Sequence, residues 1–150
     1  MKIAIGCDHI GYPLKLHIID YLRGKGCEMI DKGTDSMQRC DYPVYGYRVA
    51  VDVADGNADR GILICGTGVG ISLAADKVPG IRAAVCSEAY TAALSRAHNN
   101  ANIIAFGARV VGEAVAEQIV DAFLTTEFEG GRHQKRIDML TAIERGEFDV

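Results

Sequence analysis

Proline is scarce in this chain, three residues in 150, while glycine occurs seventeen times. That imbalance argues against a linker and for tight turns close to a ligand. No apolar run approaches the ~20 residues that span a bilayer, and the opening Met1-Lys2-Ile3-Ala4-Ile5-Gly6 lacks the layout of a signal peptide. Basic residues (16) are fewer than acidic ones (20), and the net charge of −4 lacks the positive footprint of a general nucleic-acid binder. The five cysteines, Cys7, Cys27, Cys40, Cys65 and Cys86, are odd in number and show no paired spacing. They point to free thiols in a reducing compartment, the cytoplasm, rather than to a disulfide framework. Neither a membrane nor a nucleic acid is expected as a partner.

Hydrophobic residues at 49% and charged residues at 24% describe a packed globular chain. At this length one domain, 1–150, buries about two thirds of the surface its unfolded chain exposes, with no need of a metal or a disulfide. Apolar runs alternate with amphipathic ones. Residues 2–6 read as a buried strand, and residues 13–25 as a helix whose Leu14, Ile18, Tyr21 and Leu22 share a face. Strands follow at 28–31, 61–65, 81–86 and 103–106. Helices are expected through Tyr45, Val49 and Val53, from the Gly66-Thr67-Gly68-Val69-Gly70 turn to about Lys77, over 89–98 and 113–124, and from near Arg132 onward. This alternation predicts an α/β fold of three α/β/α layers around a five-stranded parallel sheet, Rossmann-like in plan.

Ligands of such sheets bind beyond the carboxyl ends of the strands, where unusual polar residues gather here. The glycine turn 66–70 uncovers backbone N–H groups at a helix start, a nest for an anion, or else serves as a plain tight turn. It is not a Walker loop, because no Gly-Lys-Ser/Thr follows, and Ile71 stands where a dinucleotide fingerprint needs its last glycine. Cys65 precedes the turn, where a thiol is either a base or nucleophile facing N–H dipoles or an inert core residue. Asp8-His9 follows the first strand, as a sugar and anion contact or as a helix-capping turn. His98-Asn99-Asn100 sits just before the fifth strand. Arg132 and Arg136 lie four apart on one helix face after Gly130-Gly131, suited to a phosphate or simply solvated. No cysteine–histidine spacing fits a zinc motif, and Gly-x-Ser-x-Gly is absent.

Together, Cys7-Asp8-His9, Asp41-Tyr42-Pro43, Ile64-Cys65-Gly66-Thr67-Gly68-Val69-Gly70-Ile71-Ser72, His98-Asn99, Gly107-x-Arg109 and Gly130-Gly131-Arg132-His133-x-x-Arg136 resemble the ribose/allose/galactose phosphate isomerase family, and its ribose-5-phosphate isomerase B branch in particular. The resemblance runs in order from residue 2 to about residue 145. It implies an aldose–ketose isomerase of the pentose phosphate pathway that interconverts ribose 5-phosphate and ribulose 5-phosphate through a cis-enediolate, without metal or cofactor. By the same resemblance Cys65 is the base, Thr67 helps the sugar oxygens, and the amides of Gly66, Gly68, Val69 and Gly70 stabilise the enediolate. Asp8 shuttles protons at the hydroxyl end, and His98 opens the sugar ring with Asn99 beside it. His9, Arg132 and Arg136 clamp the phosphate with help from Arg109, and Tyr42 lines the sugar pocket.

One family branch carries a glutamate where this chain has Ile71, which cannot take a proton. The galactose branch lacks the His-Asn pair and the tail arginines. The resemblance further implies a homodimer, or a dimer of dimers, with sites at the interface. His98, Asn99 and Arg109 of one chain would complete the pocket of the other, and the helix from about 132 would pack on or across the dimer. Allose 6-phosphate or galactose 6-phosphate isomerisation, and a non-catalytic sugar-phosphate-binding role, are the alternatives.

Overall fold

Each strand of this chain carries apolar residues on both of its faces, and both faces are covered. The computed structural model describes residues 1–149. In chain order its elements are β1 (Lys2–Cys7), α1 (Tyr12–Gly24), β2 (Glu28–Asp31), α2 (Tyr42–Ala54), β3 (Arg60–Cys65), α3 (Val69–Ala75), β4 (Ala83–Val85), α4 (Ala89–Ala97), β5 (Ile103–Gly107), α5 (Glu113–Thr125) and α6 (Arg132–Glu144). The strands pair in parallel in the order β2-β1-β3-β5-β4. The expected five-stranded parallel sheet between two helical layers is therefore present.

Because side chains alternate across a strand, odd and even positions build two separate cores. Ile3, Ile5, Cys7, Ile62, Ile64, Ile104 and Phe106 meet α1, α4 and α5 on one face. Ala4, Leu63, Cys65, Ile103 and Ala105 meet α2 and α3 on the other. Strand β4 is shorter than the expected 81–86. The Ile81 N–H is taken by Val78 O (3.1 Å) and the Arg82 N–H by Asn102 Oδ1 (2.8 Å), so these two residues close a loop instead of extending the strand.

Helix α6 stands outside the two layers. It buries His133 and Ile137, leaves Met139, Leu140 and Ile143 exposed, and ties back through Glu144, which accepts the Gly80 N–H at 3.1 Å. No described helix is long and apolar enough to cross a membrane.

The topology fixes two ends. From β1 the chain moves outward to β2, then crosses back to place β3 on the other side of β1. The carboxyl ends of β1 and β3 thus flank the switch point, the usual ligand crevice of an open α/β sheet. The opposite end carries the turns that enter β3, β4 and β5. Strands of five or six residues hold the two ends about 17–20 Å apart.

Candidate active site

At the switch point lies a cleft of about 490 Å³, lined by residues from the ends of β1, β3 and β5 and from the loop before α2. Cys65 ends β3 at its floor, 5% exposed. The Gly68 N–H donates to its sulfur at 3.1 Å, so the sulfur is placed as an acceptor, the role a base requires. That bond needs the turn Gly68 makes. Its φ is +82°, and a Cβ there would stand 2.8 Å from the backbone of Phe106. Gly68→Ala is therefore expected to cost about 1–3 kcal/mol of stability, measured by urea denaturation, and to loosen Cys65. Gly70 leaves room for Tyr42, whose ring would lie 2.7 Å from an added Cβ.

Asp8 follows β1 and is buried. Its Oδ1 accepts the N–H groups of Ile10 (2.9 Å) and Gly11 (3.1 Å), which fixes the turn that leads into α1; the helix itself takes no side-chain cap there. Its Oδ2 is left to meet a substrate. The His9 Nδ1 accepts the Cys40 N–H at 3.3 Å. A neutral His9 then carries its proton on Nε2, as a donor. Arg39 and Arg109 line the same cleft, which puts two guanidinium groups in one cavity with His9.

Asp8, His9, Tyr42, Cys65, Gly66, Thr67, Gly70 and Arg109 all line this one cleft. Gly68 and Val69 belong to the turn, but their N–H groups are already engaged, by Cys65 Sγ and by Thr67 Oγ1 (3.3 Å) respectively. Arg109 follows β5, with its N–H on Gly66 O at 3.1 Å. It lines the cleft of its own chain, at the end of the sheet away from His98 and Asn99. Arg39 was not foreseen; the only trace of it in the sequence is a cation two residues ahead of the Asp41-Tyr42-Pro43 helix start. Cys7 and Cys86 take no part. Burial, the largest influence on each, pushes Cys7 up to about 12 and Cys86 up to about 11, so both stay neutral core thiols.

His98, Asn99, Arg132 and Arg136 gather at the other end of the sheet. His98 caps the end of α4. The turn after it is gripped by two arginines. Arg82 Nε donates to Asn99 O (3.1 Å) and Asn100 O (3.2 Å), and the buried Arg96 donates to Asn100 Oδ1 (2.9 Å) and to Ala101 O. Burial pulls Arg96 down to about 10. Asn100 holds a φ of +46° within this grip. Gly130 and Gly131, with φ of +64° and +54°, turn the chain into α6, where Arg132 and Arg136 are exposed. A further cavity of about 360 Å³ lies between β4 and α6, but its carboxylates Asp76 and Glu144 already accept the Ala83 and Gly80 N–H groups.

A doubly wound sheet with a thiol, a carboxylate and a glycine turn at its switch point, and without a dinucleotide fingerprint, defines an α/β enzyme acting on a small substrate. The chain belongs to the ribose/galactose isomerase family, whose model, described as Ribose/Galactose Isomerase, matches residues 3–140. It is 60% identical over 144 residues to ribose-5-phosphate isomerase B of Escherichia coli K12, covering 96% of this chain and 97% of that one. It is 43% identical to the galactose-6-phosphate isomerase subunit LacB of Clostridium acetobutylicum, covering 99% of this chain and 88% of that one. The structure of Clostridium thermocellum ribose-5-phosphate isomerase B superposes with a TM-score of 0.97 at 55% identity, over 99% of this chain and all of that one. The resemblance read from the motifs is borne out at the level of family and fold.

Proposed function

We propose that this chain interconverts ribose 5-phosphate and ribulose 5-phosphate through a cis-enediolate, with Cys65 as the base and without a metal. The observation that carries this reading is the make-up of the cleft. Cys65, Asp8, His9, Arg39 and Arg109 all line one cavity, so a phosphate held by the two guanidinium groups leaves its sugar in the same cleft as the thiol. A group bound remotely in this way fixes which C–H meets the base. The thiolate takes the C2 proton and the C1 carbonyl oxygen becomes an enediolate oxygen. Thr67 and the unengaged loop amides are the donors offered to it, an arrangement that stabilises charge as it develops. The C2 hydroxyl proton then passes to the C1 oxygen, Cys65 returns the proton it took to C1, and the ketose is formed with the thiolate restored.

In this reading His98, Asn99, Arg132 and Arg136 act on the cleft of a second copy. Within one chain they lie toward the end of the sheet away from Cys65, at the far end of strands about 17–20 Å long. Two chains related by a two-fold axis would bring each distant cluster to the partner's cleft and would cover the exposed Met139, Leu140 and Ile143 of α6. The enzyme is then a homodimer, or a dimer of dimers.

The deciding experiment compares turnover of ribose 5-phosphate, allose 6-phosphate and galactose 6-phosphate by the purified protein. A preference for either hexose phosphate overturns the ribose reading, and no turnover of any overturns catalysis in favour of sugar-phosphate binding alone. EDTA is expected to leave the rate undiminished; a fall would restore a metal to the mechanism. Arg132→Ala and Arg136→Ala should each raise KM, with a loss of about 1.5–3 kcal/mol of binding for a charged hydrogen-bond partner, and should act far less on phosphate-free ribose. Equal losses on both substrates would make these arginines structural.

A further inference from the structure

At the end of the sheet away from Cys65, three ligand-type side chains converge. His98 and His133 stack with ring centroids 4.2 Å apart and planes 8° from parallel. Glu129 Oε2 lies 3.4 Å from His133 Nε2 and 3.9 Å from His98 Nε2. One atom from each residue falls within a 4.8 Å set. His133 is 4% exposed, and its Nε2 is buried with no hydrogen-bond partner. A buried polar atom left without a partner in an otherwise well-paired molecule requires an explanation, and the proton-transfer role given to His98 supplies none for His133 or Glu129.

The backbone already holds the three together. The Glu129 N–H donates to Ala97 O at 3.0 Å, which ties the residue to the end of α4 next to His98, and the His133 N–H donates to Gly130 O at 3.0 Å. We propose that His98, Glu129 and His133 form a binding site for a divalent cation of the Zn²⁺ type, and that the occupied site withdraws His98 from proton transfer. The inhibitory half of this proposal rests on the reading of His98 given above; the cation site does not.

The donor set selects the ion. Two imidazoles and one carboxylate suit Zn²⁺ and its neighbours and are poor for Ca²⁺ or Mg²⁺, which take oxygen ligands. Three protein ligands leave one tetrahedral position for water. Parallel stacked rings do not aim their lone pairs at one point, so binding turns one ring out of the stack. His98, with its side chain 35% exposed against 6% for His133, is the one free to turn. A coordinated imidazole nitrogen can no longer give or take a proton, so the cation inhibits rather than assists.

The test titrates chelator-stripped enzyme with ZnCl₂ by calorimetry and with CoCl₂ by absorption, then follows ribose 5-phosphate turnover against Zn²⁺. One ion per chain is expected, and the Co²⁺ spectrum should lack a thiolate charge-transfer band. Glu129→Gln and His133→Gln should each weaken binding more than about tenfold, since loss of even an outer-shell partner costs that much. Glu129→Gln, a surface change, should keep the metal-free rate and resist inhibition. A thiolate band, or affinity unchanged in both variants, overturns the site and leaves the role of His98 untouched. Binding that follows both variants while turnover ignores the ion keeps the site and overturns the proton-transfer role of His98.

Discussion

Cys65→Ala lowers kcat for ribose 5-phosphate by roughly 10²–10⁴-fold, the range that a positioned acid or base contributes, while the variant still folds and still binds the substrate. The fold survives because Cys65 contributes only a small side chain to the core beneath α2 and α3, and the turn is held independently by the Ala108 N–H on Cys65 O (2.9 Å) and the Arg109 N–H on Gly66 O (3.1 Å). Binding survives because the change leaves the other groups of the cleft, His9, Arg39 and Arg109 among them, in place. Cys65→Ser makes a sharper control. It keeps an atom that can accept the Gly68 N–H, but an alcohol is a far weaker acid than a thiol and is not ionised near neutral pH. The serine variant is therefore expected to be as slow as the alanine one. Near-wild-type turnover in either variant removes Cys65 from the chemistry. In that event Asp8, whose Oδ1 is fixed by two N–H groups and whose Oδ2 is not, becomes the base to test next.

The parts of this site that are local in the chain were legible in the sequence. Strand ends followed by Asp8-His9 or by Cys65 and its glycine turn could be placed at the carboxyl edge of a parallel sheet, because apolar runs and helix periods set the direction of each element. Continuous apolar runs such as Ile62-Leu63-Ile64 also made the two-sided sheet readable before any pairing was known. What the sequence could not supply was strand order. Without β3 beside β1, Asp8 and Cys65 are merely two strand ends. Without β5 beside β3, nothing marks Arg109 as a neighbour of the Cys65 turn.

The buried Lys15 was equally hidden. A lysine one turn into an amphipathic helix reads as solvated, yet Lys15 is 1% exposed. It is held there by Asp31 (2.7 Å) and Thr34 O (2.7 Å), partners sixteen and nineteen residues away in sequence. That cluster anchors the start of the loop that ends at Arg39 and Cys40, and so supports the wall that carries His9.

His98→Asn should slow the aldose direction by a comparable roughly 10²–10⁴-fold, for a different reason. Ribose 5-phosphate is mostly a closed furanose. C2 cannot be deprotonated until C1 is a carbonyl, so a proton must first pass between the ring oxygen and O1. An imidazole both gives and takes a proton near neutral pH, and asparagine keeps the polar volume while losing that capacity. Among the remaining histidines, His9 lines the Cys65 cleft together with Arg39 and Arg109, His17 of α1 bonds Glu117 of α5 at 2.7 Å, and burial holds His133 below its ordinary pKa. The expected signature is kinetic rather than structural. Wild-type enzyme with C2-deuterated ribose 5-phosphate should show a primary isotope effect. In His98→Asn that effect should shrink, because ring opening has become the slow step. Ribulose 5-phosphate cannot close to a furanose, so in the reverse direction its enolisation, read as exchange of the C1 hydrogen with solvent, should stay near the wild-type rate even where release of closed aldose is slow. A large fall in kcat with an undiminished isotope effect, and exchange lost in both directions, would put His98 in the enolisation itself. The C2 proton would then have two candidates for its base, and a double variant with Cys65→Ser would separate them: within that one step, additive losses mean independent contributions to its transition state, and a loss no greater than that of the worse single change means the two residues act as a unit.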